Sequence, residues 1–251
     1  MNKTGILTCS AYASPPNALH YCGPEKQIAL TAYQNRRIAD HGLTDILIHF
    51  ETLYPYLKLI AEENDIRDPF DPRVVEAYWI GNSLLRNISI HHFYTHLHDT
   101  LNLKKKVKVK DLERLYGKLP IGLLPHHTFH VLNVFTRTGH RTVEHTLETM
   151  DACRIGWGRV IKITNYKLQT TNEFEVETQP LTLKKGKLTL AKPIVKKIKI
   201  PYRMPDFGSR ILEAYLVSFH WNTLCDILTF EQVRRLTYYT NQAIALANQT
   251  I

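Results

Sequence analysis

The strongest constraint on the fold is a change of character near residue 156. Up to that point the apolar residues recur with helical spacing, as in Ile46, Leu47, Phe50, Leu53, Tyr54, Leu57 and Ile60. From Gly156 the chain reads GWGRVIKITNYKLQTTNEFEVETQPLTLKKGKLTLAKPIVKKIKIPY, rich in β-branched residues and broken by turn pairs. A helix-period pattern and an alternating pattern bury different faces, so the two stretches cannot share one kind of element. The expectation is an α+β protein. An all-helical domain over 1–152 precedes a small antiparallel β-barrel of five or six short strands with C-terminal helices over 153–251.

Local signals refine this outline. Residues 2–13 predict a short helix that stops before Pro15-Pro16, and residues 15–24 predict a rigid loop. Pro24 suits the first position of a helix running to about residue 39. Pro55 should kink or split the helical stretch 43–64. Asp71 and Pro72 read as an N-cap and first position, ahead of a buried helix with a soft point at Gly81-Asn82. Residues 104–110 read as an exposed strand or connector, and DLERLYGKLP as a short helix ended by Gly117. HHTFHVLNVF and VEHTLETMDACRI read as two more helices. Thr171-Asn172 and Lys185-Gly186 predict hairpin turns. Residues 209–249 predict two helices, broken near Leu228-Thr229 with Thr229 as N-cap.

The chain has 251 residues and a formal net charge of +9. That charge is concentrated. Residues 104–118 hold seven Lys/Arg against two acids, and residues 184–203 hold eight bases and no acid. Two local basic segments argue less for a nucleic-acid partner than a uniformly basic surface would, since exposed strands carry lysine against edge pairing. There is no cleavable leader pattern and no run of 18 apolar residues, so a cytoplasmic protein without a membrane partner is expected. Four cysteines without a CxxC pair argue against a zinc ribbon. The nucleotide and serine-hydrolase motifs GxGxxG, GxxxxGK[ST] and GxSxG are missing, as is the zinc-protease HExxH.

Thirteen histidines are the chemical feature, and seven fall in two clusters, His91-His92-x-x-x-His96-x-His98-Asp99 and His126-His127-x-x-His130. If 91–99 is helical, His92, His96 and Asp99 share one face, a donor set suited to zinc, iron or manganese. His126, His127 and His130 follow Pro125 in a first helical turn, where the helix N-terminus keeps imidazole neutral and fit to ligate. The loop holds His20 and Cys22, reactive or metal-binding only as thiolate. His145 and Glu148 form a weaker carboxylate–imidazole pair. Cys9 and Cys225 read as inert core residues.

Two resemblances follow from particular blocks. SPPNALHYCGP, YPYLKLIAEENDIRDPFDPRVVEAYWIGNSLL, PHHTFHVLNVF and CRIGWGRVIKI together resemble an uncharacterised bacterial family often encoded near nickel–iron hydrogenase genes. Locally, Cys153-Arg-Ile-Gly-Trp-Gly-Arg-Val resembles the opening of the small hydrogenase maturation chaperones, which fold as a β-barrel followed by a helix. That resemblance implies Cys153 as an iron ligand and a hydrogenase subunit or maturation protein as partner. The sequence departs from the pattern: the cysteine is internal, Trp157 replaces a proline, and KKIKIPYRMPDFG lacks the expected histidine. The reading is therefore an accessory protein for hydrogenase metallocentre assembly, with iron, zinc or nickel as the ion. The alternatives are a metal-dependent enzyme using the histidine clusters and a basic nucleic-acid-binding protein.

Overall fold

A computed structural model describes residues 2–134, 141, 143–163, 173–201 and 213–250. Ten helices come first: α1 (Lys3–Ala18), α2 (Gln27–Arg36), α3 (His41–Ile48), α4 (Leu53–Glu62), α5 (Pro72–Trp79), α6 (Ile90–Thr95), α7 (Leu103–Lys106), α8 (Val109–Tyr116), α9 (His127–Phe129) and α10 (Leu147–Cys153). Seven strands follow: β1 (Gly156–Ile163), β2 (Glu173–Thr178), β3 (Leu181–Lys184), β4 (Lys187–Leu190), β5 (Ile194–Lys199), β6 (Leu216–His220) and β7 (Thr223–Ile227). A last helix, α11 (Phe230–Ala247), covers the helical layer.

The mixed α+β class is as expected. Asp71 caps α5 with Pro72 in its first turn, and Thr229 caps α11 through a reciprocal capping box with Gln232. The stretch around Pro55 is split, with the break at residues 49–52 and Pro55 in the first turn of α4. Lys185 and Gly186 both take positive φ, the conformation a tight β3–β4 turn needs. The Thr171-Asn172 turn lies outside the described residues.

Three expectations are corrected. Helix α1 does not stop before Pro15-Pro16 but runs through both to Ala18, because their rings are buried and tertiary packing outweighs the lost hydrogen bonds. Residues 104–106 and 109–110 are helical, with 107–108 an extended link between them, since α7 buries Leu103 and α8 buries Leu112 and Leu115. The segment expected as the first C-terminal helix holds two strands instead. Trp221 and Asn222, at φ 49° and 56°, turn β6 directly into β7. The aromatic and aliphatic content of LVSFHWNTLCDIL fits either period, and the turn decides it.

Strand pairing runs β1–β2–β5–β7–β6, and β6 pairs back onto β1. The β5–β7 contact is one parallel pair, Lys199 with Thr223, and the other pairings are antiparallel. The sheet wraps its own apolar core of Val160, Phe174, Val176, Ile198, Val217, Phe219 and Leu224. Two of the eight bases in 184–203 are used in this pairing: Lys197 and Lys199 on β5 sit opposite Glu175 and Glu173 on β2. Such cross-strand opposite charges are mutually stabilising, which leaves fewer lysines for a nucleic acid. A second, larger core joins the helices to α11, to Leu181 and Leu188 of the β3–β4 hairpin, and to Cys225 of β7.

Gly5 shows how closely α1 is packed. A Cβ at this position would collide with the backbone carbonyl of Phe70. Glycine-to-alanine changes inside helices ordinarily stabilise by about 1 kcal/mol. Gly5→Ala is expected to reverse that sign and cost about 1–3 kcal/mol by overpacking, read as a lower urea midpoint at unchanged m-value. A stabilised variant would contradict this packing.

Candidate metal centre

The site begins with a missing donor. In an α-helix the carbonyl of residue i accepts from the N–H of residue i+4. Tyr12 should therefore accept from residue 16, but that residue is Pro16, which has no N–H. The Tyr12 carbonyl is filled instead by His220, whose Nδ1 lies 2.7 Å away. A carbonyl can only accept, so Nδ1 carries the proton and the ring's lone pair is on Nε2. His220 reaches this place as the last residue of β6, and the turn that follows is pinned where the Trp221 N–H donates to the Ala152 carbonyl at 2.8 Å.

His127, the first residue of α9, is fixed by the same chemistry. Its Nε2 lies 2.8 Å from the Cys153 carbonyl and must donate, leaving the lone pair on Nδ1 to accept from the Tyr78 hydroxyl at 3.3 Å. Cys153 ends α10 and is 8% exposed. Its neighbour Arg154 is buried and paired with Asp151 at 2.8 Å, and Asp151 accepts the Leu181 N–H at 2.7 Å, so the end of α10 is tied to β3.

These anchors converge. One ring nitrogen of His127, one of His220 and the Cys153 Sγ all lie within 4.8 Å of one another. The two rings meet edge to face with centroids 5.0 Å apart, and Trp79 lies 4.6 Å from His127. They border a cavity of about 40 Å³, whose wall also includes Cys22, Tyr78, His130, His145 and Trp221. A water needs on the order of 10–15 Å³ on this measure, so the cavity admits an ion with one or two small ligands and no larger molecule. Burial, with the charge of His220 second, holds the His127 pKa well below the ordinary imidazole value. Neutral imidazole is the form that binds metal.

Of the sequence-predicted residues, His127 and Cys153 form this cluster, and Cys22 and His130 line its cavity. His130 Nδ1 lies 3.0 Å from the Tyr56 hydroxyl. The others stand elsewhere. His126 is fully buried as the N-cap of α9, its Nδ1 accepting the Thr128 N–H and its ring stacked on Tyr239. His20 contacts the Gln27 side chain at 3.0 Å. His92, His96 and Asp99 do not gather. His92 is exposed and contacts Glu63 at 2.6 Å, whereas His96 is buried with its ring 4.5 Å from Tyr56. Asp99 is exposed and held by Lys104 at 2.6 Å and His98 at 3.0 Å. Two local causes act: the π-turn over 96–100 shifts Asp99 off the i+7 position, and His92 is held by Glu63 outside while His96 packs inward on Tyr56.

His220 was not predicted. The signals that would have found it are Asn222, a turn former at positive φ, and Pro16, which leaves a carbonyl in need of a donor.

The structure thus defines an α+β protein with a buried two-histidine, one-cysteine cluster. The chain belongs to a family of unknown function, DUF6390, whose model matches residues 1–251. No curated protein and no solved structure matches it.

The buried histidines set the acid response. Burial lowers His96 and His126 to about 3 from an ordinary value near 6.5. Between pH 6.5 and 3 the unfolded chain takes up protons that the folded one refuses, so stability falls as pH falls, by up to about 1.4 kcal/mol per pH unit for each ring. Asp226, raised by burial to about 6, works oppositely: below pH 6 the folded chain keeps its proton, which offsets part of the loss. Urea unfolding at pH 7 and pH 5 is expected to show a loss on the order of 2–5 kcal/mol. His96→Phe, which also removes an unpaired buried Nε2, should keep stability at pH 7 and flatten the slope by about 1.4 kcal/mol per unit. An unchanged slope would contradict the assignment.

Proposed function

We propose that this protein binds one transition-metal ion at His127, Cys153 and His220. The observation that carries the reading is the convergence of two carbonyl-anchored imidazoles on one thiol. Metal-ligating histidines characteristically donate their second N–H to a carbonyl or carboxylate, which fixes the tautomer; both rings donate to a carbonyl here, and ligation at His127 Nδ1 would displace its contact with the Tyr78 hydroxyl. One thiolate with two imidazoles suits zinc, copper or iron, and disfavours magnesium and calcium. A tetrahedral ion holds such donors about 3.3–3.6 Å apart, given metal–ligand lengths near 2.0–2.3 Å. The donor atoms here lie within 4.8 Å of one another, so ligation draws them closer. Cys22 and His145 border the same cavity and are the protein groups placed to supply a fourth ligand. The small cavity supports holding an ion rather than turning over a substrate.

The narrower reading is a hydrogenase-accessory role, in which the ion is iron awaiting transfer. Two features support it. Cys153 is the residue that the local resemblance to maturation chaperones singles out, and a strand-end histidine, His220, lies beside it.

The test is titration of the full reduced chain with cobalt(II), a spectroscopic probe for zinc-type sites. One equivalent is expected, with thiolate-to-metal charge transfer in the near ultraviolet. Cys153→Ser should abolish that band, and His220→Ala should weaken binding at least tenfold. An absent band, or binding that survives Cys153→Ser unchanged, would refute the site. Recovery of a hydrogenase precursor with the iron-loaded chain would support the narrower reading, and its absence from a hydrogenase-expressing host would remove that reading alone.

Pro16 is expected to act as a positioning residue. Pro16→Ala restores an N–H that competes with His220 for the Tyr12 carbonyl. It exchanges the packing of a buried ring for a helical hydrogen bond, so the fold should persist at a cost of at most about 2 kcal/mol, yet metal binding should weaken about tenfold. Unchanged affinity would show that this carbonyl does not govern the ring.

A further inference from the structure

A second site, separate from the metal cluster, is built around Lys118. This residue follows α8 and is 4% exposed. Its Nζ donates to Asn133 Oδ1 at 3.0 Å and to Thr250 Oγ1 at 2.9 Å. Both acceptors are neutral, and among the described residues no carboxylate lies within ion-pair distance of it. An ammonium has three N–H donors, so one remains beyond these two bonds. Neutral partners satisfy hydrogen bonds but leave the charge uncompensated among the described residues, and a buried uncompensated charge costs several kcal/mol. Burial, and secondarily the charge of Arg114, hold its pKa below the ordinary lysine value.

Lys118 stands at the wall of a cleft of about 380 Å³. Three further cations line it, Lys106, Lys108 and Arg114. The one acid in the wall, Asp111, is already paired with Arg114 at 3.4 Å. The rest of the described lining includes aliphatic Val107, Leu115 and Val134, with no aromatic side chain among the described residues. This volume lies in the range of small-molecule sites, roughly 300–1,000 Å³. Single-stranded nucleic acid is gripped by stacking bases on aromatic rings, which this wall does not offer. A compact anion with several acceptor oxygens answers both the buried charge and the surrounding lysines.

We propose that the cleft lined by Lys106, Lys108, Arg114 and Lys118 binds a small phosphoryl-bearing anion. Lys118 contacts the phosphoryl oxygens from the buried side, and the exposed cations close over it from the rim. The lysine-rich segment 104–110 thereby forms part of a ligand pocket.

The experiment is calorimetric titration of the metal-free full chain with inorganic pyrophosphate, with inorganic phosphate and oligothymidylate as parallel probes. Pyrophosphate is expected to bind at one site and to raise the melting temperature. Lys118→Met, close in length and lacking the charge, should weaken binding at least tenfold while cobalt binding at the metal cluster stays unchanged. Should Lys118→Met fail to fold, the surface pair Lys106→Ala and Lys108→Ala should still lower affinity several-fold. No heat and no thermal shift with pyrophosphate or phosphate would overturn the proposal. So would oligothymidylate binding as tightly as pyrophosphate with no loss in Lys118→Met, since exposed lysines alone would then explain it.

Discussion

One unfilled carbonyl organises the centre of this molecule. Because Pro16 has no N–H, the fourth residue before it keeps a strong acceptor facing the interior, and His220 supplies the donor at 2.7 Å. That bond joins the first helix to a hairpin more than two hundred residues later. The same contact sets the His220 proton on Nδ1 and its lone pair on Nε2. Tyr12 reinforces the junction through its hydroxyl, 2.7 Å from Ser218 on the same strand. The sheet is thus docked on the helices by buried polar groups, which are costly unless fully paired and therefore specify one arrangement.

The polar core continues from there. His127 spans Tyr78 and the Cys153 carbonyl, His130 meets Tyr56, and the His96 ring lies against that same tyrosine. Burial keeps the His127 and His96 imidazoles neutral. A protein gains little stability from so many buried titratable rings, because each must be desolvated and several titrate against the fold in acid. Of these rings His127, together with His220, converges on the Cys153 thiol, the arrangement on which the proposed ligation rests. By contrast, the Cys9 thiol is pushed up to about 12 by burial and stays a core residue.

Much of the architecture was legible in the chain. The caps at Asp71 and Thr229, the split around Pro55 and the Lys185-Gly186 turn are local signals, and local signals survive folding. The reading failed where tertiary packing overrode propensity. Pro15-Pro16 looks like a helix stop, yet the pair lies inside α1 with buried rings. LVSFHWN has enough large apolar residues for a helix, yet two left-handed residues make it a hairpin. The first of these misreadings hid the open Tyr12 carbonyl, and the second hid the histidine that fills it. The second histidine cluster was visible from composition, and Cys153 was singled out only by the local resemblance to the maturation chaperones. The His92–His96–Asp99 set depended on an unbroken helix, which the π-turn removes. The third member of the cluster, His220, is contributed by long-range topology, which residue spacing along one segment does not encode.

X-ray absorption at the metal edge, on the full chain loaded with one equivalent of zinc, tests the central claim most directly. The account predicts a first shell containing sulfur at about 2.3 Å and two imidazole nitrogens at about 2.0–2.1 Å, with the sulfur lost in Cys153→Ser. A shell of nitrogen and oxygen alone, or a sulfur shell unchanged by Cys153→Ser, would show that the metal sits elsewhere.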